Sequence, residues 1–301
     1  MSTHWNTENI PSQAGKTILI TGANSGLGLG SAKELARKGA KVIMTARSQT
    51  KGLQALNDIK KEYPKSDLIL MELDLADISS IRKFVSEFKS KFNKLDVLMN
   101  NAGVMMPPKR EETKQGFELQ FGTNHLGHFL LTNELLPILE QTPNSRVVIT
   151  ASAAADLKEA DIYYNDLQWK KSYNLSASYA QSKLANMMFG LELQKRLEAK
   201  GSKTIVVLSH PGYTKTNLQD EMGLRGVILN FLVAQKLEMG ILPQLRAATD
   251  VHVKGGEFYG PDGFRNLRGY PVQSKIYDKA LNETNNKKLW QLSEELIQSI
   301  R

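Results

Sequence analysis

Residues 16–21, Lys-Thr-Ile-Leu-Ile-Thr, form a short apolar, β-branched run with no polar alternation, the pattern of a strand covered on both faces. Similar runs recur at 41–45, 68–73, 95–100, 146–151 and 204–209, with a weaker one at 257–259. Between them, apolar residues repeat at helical spacing over 27–38, 50–62, 78–91, 117–140, 177–199 and, less regularly, 226–250. Strict β-α alternation predicts an α/β fold: a Rossmann-type, doubly wound parallel sheet of about seven strands with helices on both faces. No Pro/Gly/Ser-rich linker interrupts it, so the pattern predicts a polar extension over 1–15 and a single domain over 16–301.

Two segments break the rhythm, 156–176 after the fifth strand and 213–250 after the sixth. Both follow carboxyl ends of strands, where open α/β sheets bind their ligands. The second holds many apolar residues between Leu218 and Val233, too many for a solvated loop. They either pack on the sheet or form a substrate lid, with Met105 and Met106 on the opposite wall.

Composition narrows the chemistry. Hydrophobic residues are 41% and charged residues 23% of the chain, as in an ordinary folded protein. The absence of cysteine excludes disulfides, thiolate metal sites and a cysteine nucleophile. The net charge of +8 is spread along the chain and not interleaved with aromatics, so no nucleic-acid partner is expected. No apolar run approaches the roughly 18 residues of a membrane span, and the longest, 227–234, is broken by Asn230. The polar start lacks the apolar core of a signal peptide, which makes the cytoplasm the expected location. The histidines lack partners at zinc-type intervals, so no metal is expected.

Directly after the first strand comes Thr21-Gly-Ala-Asn-Ser-Gly-Leu-Gly28, opening the first helix. Gly22 permits a tight turn, Gly26 lets backbone N–H groups approach a pyrophosphate, and Gly28 permits close helix-to-strand packing. Asn24, Ser25 and Leu27 belong to the same nucleotide loop. An NAD site places a carboxylate at the end of the second strand, whereas this chain reads Thr45-Ala46-Arg47. A guanidinium there pairs with a 2′-phosphate, favouring NADP(H) with NAD(H) possible, although a solvated surface arginine has the same sequence signature. Asp74, followed by Leu75, suits either an adenine amino group or a helix cap. Asn100-Asn101-Ala102-Gly103 ends the fourth strand as a cofactor approach or a simple turn. Tyr179 and Lys183, four residues apart, share one face of a helix, where an ammonium can lower a phenol's pKa and make it a proton donor.

Taken in this order, the residues resemble the short-chain dehydrogenase/reductase family over about 16–270: TGxxxGxG at 21–28, NNAG at 100–103, an Asn in the next helix, a Ser after the fifth strand, YxxxK, and Pro211-Gly212 after the sixth. NHLGHF, SYAQSKLAN, SHPG and GPDGF, with Tyr179 following Ser152 at a separation of 27, are similar to its retinol-dehydrogenase-like branch. Light-dependent protochlorophyllide reductases share this framework but carry an active-site cysteine, which this chain lacks.

The resemblance implies an oxidoreductase interconverting a small-molecule carbonyl and alcohol, with Asn124, Ser152, Tyr179 and Lys183 as the catalytic set. Ser152 would bind the carbonyl oxygen and Tyr179 protonate it. Lys183 would lower the Tyr179 pKa and hold ribose hydroxyls, and Asn124 would hold a relay water. Pro211, Gly212 and Thr216 would contact the nicotinamide carboxamide. Ser176, Ser178 and Ser182 are expected on the helix surface, and His125, His128 and His210 as packed or capping residues. A homodimer or homotetramer would pair through the helices starting near Phe117 and Ala177. A cofactor-sensing interaction protein with little turnover is the alternative, disfavoured by the intact catalytic set.

Overall fold

The computed structural model describes residues 4–214 and 235–300. Its strands are β1 (Thr17–Ile20), β2 (Lys41–Ala46), β3 (Asp67–Glu72), β4 (Val97–Asn100), β5 (Arg146–Thr150), β6 (Ile205–Ser209), β7 (Phe258–Pro261) and β8 (Pro271–Gln273). They form one sheet in the order β3-β2-β1-β4-β5-β6-β7-β8. Pairing is parallel from β1 through β7, and β8 adds antiparallel to β7. Strand order reverses between β1 and β4, which opens the crevice where this topology binds ligands.

The helices are α1 (Gly26–Arg37), α2 (Gln49–Glu62), α3 (Ile78–Lys91), α4 (His128–Gln141), α5 (Leu175–Ala199), α6 (Leu237–Gly240), α7 (Leu242–Thr249) and α8 (Glu283–Gln298). The unalternating strands are explained by two cores, one on each face. Leu19, Ile43, Leu98, Val147 and Ile149 point into a cluster shared with α3, α4, α5 and α8. Their neighbours Ile18, Ile20, Val42, Met44, Met99 and Val148 point the other way, into a cluster with α1, α2 and α7. Ile10, inside the polar extension, is buried in this second core.

Eight strands replace the seven expected, because β8 is three residues long, begins with Pro, and has no periodicity to read. The sequence reading also missed α8. Leu289, Trp290, Ser293 and Ile297 form its buried stripe, and Asn282 caps it by accepting from the Asn285 N–H. In the expected 226–250 helix, α6 and α7 occupy the end, and 226–234 lies outside the described residues.

Helix α5 is buried almost all round, and α8 covers its outer side. Trp290 stacks edge-on against Phe129 at 4.9 Å and lies 5.8 Å from Phe189, while Arg196 sits 4.2 Å over its ring. The α4–α5 surface implied for subunit pairing thus carries α8 of the same chain. Among the described residues, no helix is long and apolar enough to cross a membrane.

Candidate active site

The turn after β1 has the backbone that its glycines allow. Gly22 and Gly26 adopt φ of 65° and 51°, a left-handed conformation that side chains disfavour. A Cβ on Gly22 would lie 2.9 Å from the Ala102 Cβ, and one on Gly28 would lie 2.3 Å from the Gly22 carbonyl oxygen. The turns after β1 and β4 therefore approach too closely for a side chain on Gly22, as the loop reading requires. Ser25, exposed at the N-cap of α1, makes no side-chain cap, so its hydroxyl does not occupy the helix's first N–H groups. Asn24 and Leu27 flank it, half-buried.

The β4 tail is held from inside. Thr21 Oγ1 accepts from the backbone N–H of Asn101 and of Ala102, both at 2.9 Å. Asn101 Nδ2 donates to the Thr21 carbonyl at 2.8 Å, so this amide braces the turn. A Cβ on Gly103 would lie 3.1 Å from Asn124 Oδ1 and 3.6 Å from Lys183 Nζ, which puts this strand end beside the expected catalytic residues.

At the other end of the crevice, Arg47 is exposed one residue beyond β2. Asp74 Oδ1 accepts from the Ala76 N–H at 2.9 Å, while Asp77 is the residue that caps α3. Leu75 is buried, and a Cβ on Gly127 would lie 2.5 Å from its carbonyl oxygen.

Ser152, just past β5, sits by the Tyr179 hydroxyl, where it favours the phenolate, and its Oγ accepts from the Ala154 N–H at 3.2 Å. Tyr179 comes from the first turns of α5, started by Asn174, whose Oδ1 accepts from the N–H groups of Ser176 and Ala177. One turn on, Lys183 is 4% exposed, donates to the Thr150 carbonyl at 3.2 Å and lies 5.8 Å from the Tyr179 ring centroid.

Burial pushes the Tyr179 hydroxyl up to about 12, offset in part by the adjoining Ser152. It pushes Lys183 down to about 8. The expected lowering of Tyr179 by Lys183 is corrected here: desolvation of the phenolate dominates, and the phenol holds its proton throughout the neutral range.

Asn124 lies in a π-helical segment, Phe121–Gly127, that runs into α4. Its Oδ1 accepts from the Val104 N–H at 2.8 Å, and its Nδ2 donates to the Val104 carbonyl at 2.9 Å and to Ser182 Oγ at 3.0 Å. With both amide hydrogens engaged, the side chain can hold a water only through the second lone pair of Oδ1. It braces the β4 tail against α5.

Ser178 and Ser182 are fully buried, correcting their expected surface position. Ser178 Oγ accepts from Gln120 Nε2 at 2.5 Å, and Gln120 Oε1 accepts from the Met106 N–H at 2.7 Å. Motif spacing gave no hint of Gln120, although it lies one helical turn before Asn124. The histidines are packed as expected: burial holds His125 at about 3 and both His128 and His210 at about 4, all neutral at physiological pH.

After β6, the Pro211 carbonyl accepts from Thr214 Oγ1 at 2.7 Å and Gln235 Nε2 at 2.6 Å. Gly212 takes a φ of 64°, and a Cβ there would lie 2.4 Å from the Leu267 carbonyl oxygen. Thr216 and the apolar residues from Leu218 to Val233 lie outside the described residues. Among the described residues, no group of three or more His, Asp or Glu is placed to hold a metal ion.

The residues fit a dinucleotide. Among the described residues the buried Lys183 ammonium has one hydrogen-bond acceptor, the Thr150 carbonyl, leaving two hydrogens for a ribose diol. The glycine turn leads into the first N–H groups of α1, which the Ser25 side chain leaves uncapped and which suit phosphate oxygens.

A family model described as short chain dehydrogenase matches residues 16–164. Human retinol dehydrogenase 14 is 38% identical over 297 residues, covering 94% of this chain and 86% of its own. Human retinol dehydrogenase 13 is 36% identical over 301 residues, covering 95% and 87%. A crystal structure of an uncharacterized protein from Mycobacterium paratuberculosis, 38% identical, superposes with a TM-score of 0.82 over 98% of each chain.

Proposed function

The chain belongs to the short chain dehydrogenase family, in its retinol-dehydrogenase-like branch, and from its site we propose an NADP-preferring reductase of lipophilic aldehydes, ketones or quinones. Oxidoreduction between carbonyl and alcohol with a nicotinamide cofactor comes with the family; the cofactor preference and the substrate class are our reading. The observation that carries the reading is the Ser152–Tyr179–Lys183 cluster, with Tyr179 and Lys183 buried beneath a half-buried Ser152, in which the phenol keeps its proton and the lysine titrates near 8.

A bound nicotinamide dinucleotide supplies or accepts the hydride. For reduction, Ser152 orients the carbonyl oxygen and Tyr179, whose hydroxyl Ser152 adjoins, gives that oxygen a proton. Lys183 would hold the ribose hydroxyls of a bound dinucleotide, and its pKa of about 8 makes its ammonium a proton source for the Tyr179 phenolate. Burial of the cluster excludes bulk water and strengthens each of these contacts.

Two features support the finer reading. Thr45-Ala46-Arg47 offers a guanidinium and no carboxylate where the adenosine ribose would lie. The apolar sequence between Leu218 and Val233, with Met105 and Met106, suits an apolar substrate. The test is a screen of the purified protein with NADPH against aldehydes, ketones and quinones of graded size, following NADPH absorbance. Turnover that rises with substrate lipophilicity supports the proposal. Tight dinucleotide binding without turnover of any carbonyl would favour a cofactor sensor and overturn it.

A further inference from the structure

His128 belongs to none of the motifs read from the sequence as chemical, yet it sits between two of them. Its ring is 1% exposed, with Nδ1 2.9 Å from the Asn124 carbonyl oxygen and Nε2 2.9 Å from Thr21 Oγ1. Thr21 directly follows β1 and starts the glycine turn; Asn124 occupies the π-helical segment. We propose that His128 is a positioning residue for the dinucleotide-binding turn: a single neutral tautomer fastens Thr21 to Asn124 and thereby fixes how the turns after β1 and β4 meet.

Counting hydrogens gives the tautomer. A carbonyl oxygen can only accept, so Nδ1 must carry the proton that goes to Asn124. In a neutral ring Nε2 is then an acceptor, and the Thr21 hydroxyl must donate to it. That leaves the two lone pairs of Thr21 Oγ1 for the N–H groups of Asn101 and Ala102, which take both. The other acceptor within reach of the hydroxyl, the Met99 carbonyl, is more distant at 3.3 Å. A charged ring would present Nε2–H to an oxygen with no lone pair left, and burial opposes that charge independently.

Little slack exists to absorb a change. Ala102 lies so close to Gly22 that a Cβ there would meet it at 2.9 Å, Asn101 Nδ2 bonds the Thr21 carbonyl, and Asn124 grips Val104 through both its amide oxygen and its amide nitrogen. The ring ties these braces into one frame, on which the phosphate-facing turn and Gly103, beside Lys183, both depend. The inference rests on membership of the family, and neither NADP preference nor a lipophilic substrate is needed for it.

The first test uses the dinucleotide-free wild type, labelled with 15N at histidine. Long-range 1H–15N correlation at pH 7 should show His128 neutral and protonated at Nδ1; an Nε2–H or doubly protonated ring overturns the proposal. The second measures binding of whichever of NADPH or NADH the wild type prefers, by dinucleotide fluorescence. His128→Phe keeps the volume and loses both bonds; Thr21→Val removes the hydroxyl. Each should weaken binding about tenfold. Because both remove one shared bond, the double variant should fall well short of the product of the two losses. His128→Gln, which restores an acceptor for Thr21, should recover most of the affinity. Losses that multiply, or a Gln variant as weak as Phe, overturn the positioning role. If His128→Phe does not fold, the wild-type tautomer decides alone.

Discussion

Replacing Lys183 with Met should make the dinucleotide-free protein more stable at neutral pH while removing its chemistry. In the unfolded chain this lysine titrates at the ordinary 10.5; in the fold, burial brings it to about 8. Below pH 8 the ammonium is charged in both states, and the fold bears the whole desolvation penalty, which for a shift of that size is about 3 kcal/mol. Between about 8 and 10.5 the unfolded chain binds more protons than the folded one, so wild-type stability rises with pH. Above 10.5 the penalty is gone. Met is apolar and similar in length, so it fills the space without the charge. Its cost is the lost hydrogen bond to the Thr150 carbonyl, about 1 kcal/mol, which leaves a net gain of about 2 kcal/mol at pH 7. For a chain of this size that corresponds to a rise in Tm of about 3 °C. Thermal unfolding of both proteins, followed by circular dichroism at pH 7 and pH 10, checks it: the gain should be present at pH 7 and largely lost at pH 10. A variant less stable than wild type at pH 7, or a gain of equal size at both pH values, would refute the reasoning.

Tyr179→Phe should keep the fold and dinucleotide affinity while lowering kcat by roughly 10²- to 10⁴-fold, the usual contribution of a general acid; a kcat/KM near that of wild type would remove Tyr179 from the acid role. Wild type should bind NADPH more tightly than NADH, and Arg47→Asp should invert that order, since a charge-assisted pair contributes about 1.5–3 kcal/mol, or roughly 10- to 150-fold. Equal wild-type affinities by titration would count against it. Along a series of straight-chain aldehydes, kcat/KM should climb a few-fold per carbon and then level off, each buried CH₂ being worth about 0.8 kcal/mol. A flat profile, or a preference for charged sugars, would argue against an apolar pocket.

The parallel sheet was legible because its strands are buried on both faces, so runs such as Thr-Ile-Leu-Ile at β1 announce themselves without context. The edge strand β8 was not, since three residues starting with Pro carry no period. Motif residues were legible where covalent geometry demands one residue type, as at Gly22 and Gly26, whose φ values exclude most side chains. The side-chain network behind them was not. Gln120, His128 and Ser182 could each serve elsewhere as surface or core residues, and only the fold brings them to Met106, Thr21 and Asn124. The pKa of Tyr179 was misjudged for a related reason. Proximity to Lys183 can be inferred from a four-residue spacing, whereas the depth of burial that outweighs it depends on segments far along the chain.

The covering of α5 by α8 also sets an order of events during synthesis. The end of α5 leaves the ribosome about 80 residues ahead of the start of α8, a lag of roughly 4–16 s at ordinary translation rates. Through that interval the ring faces of Phe129 and Phe189, and His125, whose ring bonds Ser293, lack the surface that closes over them. The nascent chain therefore carries a temporary sticky patch next to α5, the helix that bears Tyr179 and Lys183. Folding of the catalytic half is completed post hoc by a segment that contributes none of the expected catalytic side chains, and substitutions at Trp290 or Ser293 should reduce the yield of folded protein in cells more than the specific activity of the molecules that succeed.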